Sequence, residues 1–206
     1  MSLTTFDDTI DHLKTRWADA DKNFLRQLFP LIADGRPISP SRFAQITQKN
    51  VATVELELLK GNIDRDSEGN IIELFGITQA PTLHRIRLGE VCLFSCCALV
   101  AHMVPLLLDR PATIESVDPV SHRLTTIQVS SSGIHSLEPQ RAVGTLVVTT
   151  QEQVLNDVRS AFCMHVCHFP DQETAEEFIA ADSRRYLISI TDLHNAARQL
   201  TDALWC

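Results

Sequence analysis

The chain has 206 residues, 44% of them hydrophobic and 21% charged, and a formal net charge of −8. That length suits one large domain or two small ones, and the composition excludes a disordered or fibrous protein. The 18 basic residues are scattered, with their densest cluster at Arg184–Arg185, which excludes the clustered cationic surface that nucleic acid and anionic membranes require.

The N-terminal residues carry no basic stretch followed by an apolar core, so no signal peptide is expected and the expected location is cytoplasmic. Residues 21–32 place Phe24, Leu25, Leu28 and Leu31 or Ile32 on one helical face, with Gly35 as a stop signal. Ser39-Pro40 offers an N-cap followed by proline at the first helical position, leading into a helix over 41–46. Val51, Val54, Leu58 and Leu59 predict a third helix ending near Gly61, and the cluster at 67–70 predicts the turn of a hairpin. Three helices and a hairpin form a winged-helix pattern. The third helix, however, carries Glu55 and Glu57 against Lys60, a poor match to a polyanion and a better one to a scaffold or lid.

From Gly76 the texture becomes mixed α/β. Strands are expected at 83–88, 90–94, 112–115, 124–129 and 142–149, and helices at 151–161, 174–181 and 191–204. The apolar stretch 91–108 is interrupted by Ser95, His102 and Pro105. It falls short of the roughly 20 apolar residues that cross a bilayer and predicts a buried helix over 96–108, kinked or ended near Pro105.

Six cysteines stand at 92, 96, 97, 163, 167 and 206. In a reducing compartment such crowding points to buried apolar residues, metal ligands or reactive thiols. Read as a strand, residues 163–169 would put Cys163, His165 and Cys167 on one side, where two soft sulfurs and an imidazole could hold a thiophilic metal; the same pattern in a strand is commonly packing.

Cys97-Ala-Leu, in a helix ending near Pro105, resembles the first catalytic-cysteine motif of the organomercurial (alkylmercury) lyase family, and Asp157-Val-Arg-Ser-Ala-Phe-Cys-Met-His-Val resembles the second. Gly35-Arg-Pro-Ile-Ser, Asp66-Ser-Glu-Gly-Asn-Ile-Ile, Gly76-Ile-Thr, Pro81-Thr-Leu-His-Arg, Ser132-Gly-Ile and Leu137-Glu-Pro extend the likeness in the family's order over residues 25–190. The resemblance implies an α+β fold. A three-helix winged-helix-like domain (residues 1–78) would pack on a mixed α/β core with antiparallel strands (residues 79–206) that houses the site. It further implies that Cys97 and Cys163 are the catalytic thiols, cleaving a carbon–mercury bond. Cys96, Cys167 and His165 are further candidate ligands. No cofactor is required; the implied partner is a small organometal or a thiophilic metal ion (mercury, copper or zinc), with no nucleic acid and no membrane.

The family's aspartate, three residues after the first cysteine, is its proton shuttle. This chain has Val100 there, and loss of a general acid/base is worth about 10²–10⁴-fold in rate. Three readings follow: a lyase whose proton comes from Cys96, Cys163, His165 or water; a non-catalytic thiolate metal-binding protein; or an enzyme of the same fold with another substrate. A metal-sensing winged-helix regulator is a further alternative that the acidic third helix opposes.

The other groups carry plainer expectations. His84 would make a structural hydrogen bond, and His102, roughly 140° around a helix from Cys97, would face elsewhere. His12, His122, His135 and His194 would lie at the surface. Cys92 would be packing and Cys206 exposed.

Overall fold

The computed structural model describes residues 6–15, 21–58 and 63–205. Its first element, helix α1 (Phe6–Thr15), was not legible in the periodicity; it buries Thr9, Ile10 and Leu13, with Asp7 and Asp8 in its first turn. Helix α2 (Lys22–Ile32) is capped by the Asp21 carboxylate, which accepts the Phe24 N–H, and buries Phe24, Leu25, Leu28, Phe29 and Ile32. The chain leaves it through Gly35 at φ +70°. Helix α3 (Pro40–Thr47) starts on the expected Ser39 cap with Pro40 at its first position, and α4 (Val51–Leu58) follows. The expected end at Gly61, with Leu59 and Lys60, lies outside the described residues. So does Cys206.

Strands β1 (Ile63–Arg65) and β2 (Ile71–Leu74) form the expected hairpin. Its turn is held by the Asp66 carboxylate, which accepts the Glu68 and Asn70 N–H groups. The hairpin joins a larger sheet, because β3 (Ile77–Thr78) pairs with β2 on one side and with a later strand on the other.

The chain continues through β4 (His84–Leu88), β5 (Val91–Ser95), helix α5 (Ala98–Leu108), β6 (Ala112–Val117), β7 (Leu124–Ser130), β8 (Gly133–Glu138) and β9 (Val143–Val147). Helix α6 (Gln151–Ala161), β10 (His168–Phe169), α7 (Gln172–Ala180), β11 (Arg185–Ser189) and α8 (Ile190–Trp205) complete it. Eight strands form one sheet in the order β1-β2-β3-β5-β4-β6-β7-β8, every neighbouring pair antiparallel, and β10-β9-β11 form a second. The architecture is α+β with antiparallel sheets, as the sequence implied. Strands β3, β8 and β11 are additions.

Helix α5 is apolar on all sides, the signature of a buried helix. It packs against β4–β7 on one side and α8 on the other. Ala98, Leu99, Ala101, Met103 and Val104 are all buried, and each large side chain so placed contributes roughly 1.5–3 kcal/mol. The alternation of β4 turns His84, Ile86 and Leu88 inward, and that of β6 turns Ala112, Ile114 and Ser116 inward. Two polar groups, His84 and Ser116, therefore enter the core with the aliphatic ones.

Three local expectations are corrected. The helix expected from 96 begins at Ala98, with Cys97 extended at its N-cap (φ −157°, ψ 166°), and continues past Pro105 to an Asp109 cap in the left-handed region. Residues 163–169 are not one strand: Cys163–His165 form a 3-10 turn, and only His168–Phe169 pair as β10. The turn is fixed by His165 N–H donating to Phe162 O and Val166 N–H to Cys163 O, so the two-residue alternation never applies. His194, expected at the surface, is 3% exposed because it faces inward from α8.

Candidate functional site

Two pieces of backbone bring the thiols together. Strand β5 ends at Ser95, and the next two residues cross to the start of α5. The Cys96 N–H donates to Gly76 O at 2.8 Å, the Ala98 N–H to Val166 O at 2.9 Å, and the Ser95 hydroxyl to Cys97 O at 3.0 Å. Across from this corner, α6 breaks at Asp157, whose backbone is non-helical, and restarts with the Asp157 carboxylate accepting the Ser160 N–H. One further turn delivers Cys163. Arg159 in that restarted segment binds Asp64 at 2.9 Å and also Glu73, which ties the Cys163 segment to the β1–β2 hairpin.

The result is a group of three sulfurs, Cys96, Cys97 and Cys163, all within 4.8 Å of one another. The Cys96 Sγ donates to Cys163 Sγ at 3.3 Å. Cys97 is fully buried, Cys163 nearly so and Cys96 half-buried. The sulfurs lie in a pocket of about 470 Å³, open mouth included, whose remaining walls are Leu13, Phe75, Gly76, Leu99, Val100, Met103, Val158, Phe162 and Leu200. None of these side chains carries a carboxylate, an imidazole or a cation. Val100 sits on the wall.

Gly76 is required at this corner. It holds φ +81°, and a Cβ there would stand 2.5 Å from the Cys96 sulfur. Glycine alone combines that conformation with so close an approach.

The three thiols are not equivalent. Burial would push Cys97 up, but hydrogen bonds from Cys163 and Cys96, the Val100 backbone N–H and the nearby His84 together hold it well below the ordinary thiol value. The Val100 N–H favours the anion without closing a strict capping bond, as expected for a thiolate at a helix N-terminus. Donation to Cys163 and Cys97, with burial, pushes Cys96 well above the ordinary value. Cys163 is lowered by the hydrogen bond from Cys96, yet its own donation to Cys97 and its burial prevail and raise it. One negative charge, centred on Cys97, is thus shared by three sulfurs.

The other expected ligands stand outside this group. His165 accepts from Arg185 Nε at Nδ1 (2.9 Å) and donates from Nε2 to Ser160 O (3.0 Å), so both ring nitrogens are engaged. Cys167 is buried in a small cluster with Phe169 and Ala175, where burial pushes its thiol up to about 12. Cys92 is half-buried on β5 and accepts from Arg85 Nε at 3.2 Å. His84 does make a hydrogen bond of the kind expected, to Ser116 at 2.9 Å. Sequence reasoning missed the connected set of buried histidines around it; their positions come from several separate elements and share no spacing.

An apolar pocket with three convergent sulfurs is a donor set for a soft, thiophilic cation. The sequence profile of the alkylmercury lyases matches residues 77–202, and the chain belongs to that family. It is 29% identical over 180 residues to an alkylmercury lyase of Streptomyces lividans, covering 87% of this chain and 82% of the relative. It is 28% identical over 177 residues to one of Staphylococcus epidermidis, covering 85% and 80%, and 31% identical over 144 residues to one of Pseudomonas putida, covering 68% and 65%. The crystal structure of the mercury-bound form of MerB2 superposes with a TM-score of 0.81 over 96% of this chain and 99% of that one, at 19% identity, which shows a shared fold.

Proposed function

We propose that the pocket binds an organomercurial through Cys97 and Cys163 and cleaves its carbon–mercury bond with a thiol proton in place of a carboxylic acid. The observation that carries this reading is the triad of sulfurs around one stabilised charge. The Cys97 thiolate attacks mercury and displaces the outgoing ligand as an anion, forming a Cys97–S–Hg–R bond. The Cys163 sulfur then bonds to mercury as the carbon–mercury bond breaks, and its S–H proton passes to the carbon. The products are R–H and mercury(II) held by the two sulfurs. Cys96, the third sulfur, keeps its proton through the first step and can relay it through Cys163 or complete a three-sulfur set around the product ion.

Val100 favours a second reading, a thiolate protein that binds mercury without turnover, because none of the described residues on the pocket wall offers a carboxyl group. Removing a general acid costs about 10²–10⁴-fold, enough to turn a lyase into a trap. In either case the acidic helical layer and hairpin at the N-terminus serve as scaffold and cover, and neither nucleic acid nor membrane is a partner. Among the described residues, no helix is long and apolar enough to cross a membrane.

Reduced protein incubated with phenylmercury separates the readings when benzene in the headspace and mercury on the protein are measured together. Benzene release with mercury retained supports the lyase. Stoichiometric binding without benzene sinks it and leaves the trap. Undiminished binding after Cys97→Ser and Cys163→Ser would defeat both.

A further inference from the structure

Mercury(II) held by two thiolates is linear and uses two sulfurs, yet the pocket holds three. Cys96 Sγ stands 3.3 Å from Cys163 Sγ, and Cys97 Sγ lies within 4.8 Å of both. The fold makes room for the extra sulfur. Gly76 leaves the space that it fills, since a Cβ there would stand 2.5 Å from Cys96 Sγ. The corner carrying Cys96 and Cys97 is also tied directly to the turn carrying Cys163. The Ala98 N–H donates to Val166 O at 2.9 Å, and the Val166 N–H donates to Cys163 O at 3.2 Å. The three donors are therefore gathered before any ligand arrives.

Their spacing selects a coordination shape. A linear S–metal–S unit sets its sulfurs two bond lengths apart. A three-sulfur pyramid with near-right angles sets them about 1.4 bond lengths apart, roughly 3.3 Å for a thiolate bond of about 2.3 Å. The Cys96–Cys163 separation is that of a pyramid's edge. Such a pyramid forms around a trivalent p-block centre, whose lone pair takes the fourth direction and needs no ligand. A tetrahedral ion such as zinc seeks a fourth donor, and the described side chains lining the pocket offer it no nitrogen or oxygen. Phe75, Leu99, Val100 and Phe162 instead supply apolar wall, which a lone pair can face. Arsenous acid, As(OH)3, is small and uncharged at neutral pH, so it enters a cavity of about 470 Å³ without the cost of desolvating an ion.

We propose that Cys96, Cys97 and Cys163 form a capture site for trivalent arsenic, bound as a pyramidal trithiolate. The proposal rests on the mercury reading only in taking these sulfurs to be open to a small thiophile, and carbon–mercury cleavage is not required. Three As–O bonds are exchanged for three As–S bonds, so that As(OH)3 and three thiols give the trithiolate and three waters. Where Cys97 is already a thiolate, the third hydroxyl leaves as hydroxide instead. Arsenic stays trivalent throughout, and neither oxidant nor reductant takes part.

The test titrates sodium arsenite into the full reduced chain, with a phosphine reductant in place of competing thiols, and measures arsenic retained per chain after gel filtration. X-ray absorption at the arsenic edge then counts the atoms bonded to it. One arsenic per chain is expected, with three sulfurs and no oxygen. Cys96→Ala should weaken arsenite binding roughly 10²-fold, the low end of what one more linked contact adds, while Cys92→Ser should bind as the wild type does. Two sulfurs and one oxygen around arsenic in the wild type, or wild-type affinity in a folded Cys96→Ala chain, would overturn the three-sulfur site. The absorption measurement needs no variant, so it decides the matter even where Cys96→Ala does not fold. Wild-type protein that binds phenylmercury but no arsenite would overturn the arsenic site and leave the mercury reading standing. Arsenite bound without mercury would do the reverse, and a chain that takes up neither would overturn both.

Discussion

The sulfurs of Cys96 and Cys163 stand 3.3 Å apart although 67 residues separate them in the chain. The contact joins the corner that opens α5 to the 3-10 turn that follows α6, and Cys97 completes the group. The unequal proton affinities of these three thiols make the site open to direct measurement.

Cys97 is the thiol held well below its ordinary value, while Cys96 and Cys163 are pushed above theirs. Alkylation with a small neutral reagent, followed residue by residue in mass spectra, should therefore label Cys97 first. Its rate should plateau at a pH below the ordinary thiol value of about 8.5. Cys96→Ala removes one of the donors to the thiolate and should shift that plateau upward. Uniform labelling of the three cysteines with one shared pH profile would contradict the charge-sharing picture.

Gly76→Ala combines two costs, a positive φ and a Cβ pressed against the Cys96 sulfur. Gly69 holds a similar φ of +82°, but a Cβ there would meet nothing within 4 Å. Gly69→Ala therefore carries the backbone strain alone, on the order of 1 kcal/mol. Urea denaturation should show Gly76→Ala less stable than Gly69→Ala by roughly a further 1–2 kcal/mol, with mercury uptake slowed in the former only. Equal losses in the two variants would show that the sulfur contact is unimportant.

Val100→Asp places a carboxyl group on the pocket wall beside the thiols. An apolar surrounding raises the pKa of such a group and keeps part of it protonated, as a proton donor requires. Benzene release from phenylmercury should rise by about 10²-fold, the lower end of the range for a restored general acid. A folded variant that binds mercury but releases benzene no faster would show that the carboxyl group is not what the site lacks.

The buried histidines make stability depend on pH in a defined sense. Burial holds His84 at about 4 and His102 at about 3, against 6.5 when unfolded, and it pushes His168 well down too. The unfolded chain therefore binds more protons, and stability increases with pH through this window. The contribution is complete above about 6.5 and is lost as pH falls toward about 4. Urea midpoints should drop steadily between about pH 7 and about pH 5, and His102→Gln should flatten that slope. A midpoint constant across the window would mean that the rings are solvated in solution.

Much of the frame was legible in order along the chain. The Ser39 cap, the hairpin turn at 67–70, the strands β6 and β7 and the apolar run of α5 are local signals, each set by neighbours within a few residues. The segment 163–169 was misread because alternating Cys and His has the period of a strand, whereas bonds from His165 to Phe162 and Val166 to Cys163 close it into a turn. His194 was misread for a different reason: its polar neighbours in sequence are not its neighbours in space.

By itself, the sequence determined the α+β class and the absence of a carboxylate at position 100, and the resemblance of two motifs implied that Cys97 works with Cys163. Those are properties of short segments. Tertiary structure alone decided that Cys96 joins the pair, that His165 and Cys167 do not, and that His84, Ser116, His168 and His102 meet in one line. Side chains from separate elements converge only when strand register and helix packing are complete, and no spacing in the chain encodes that distance.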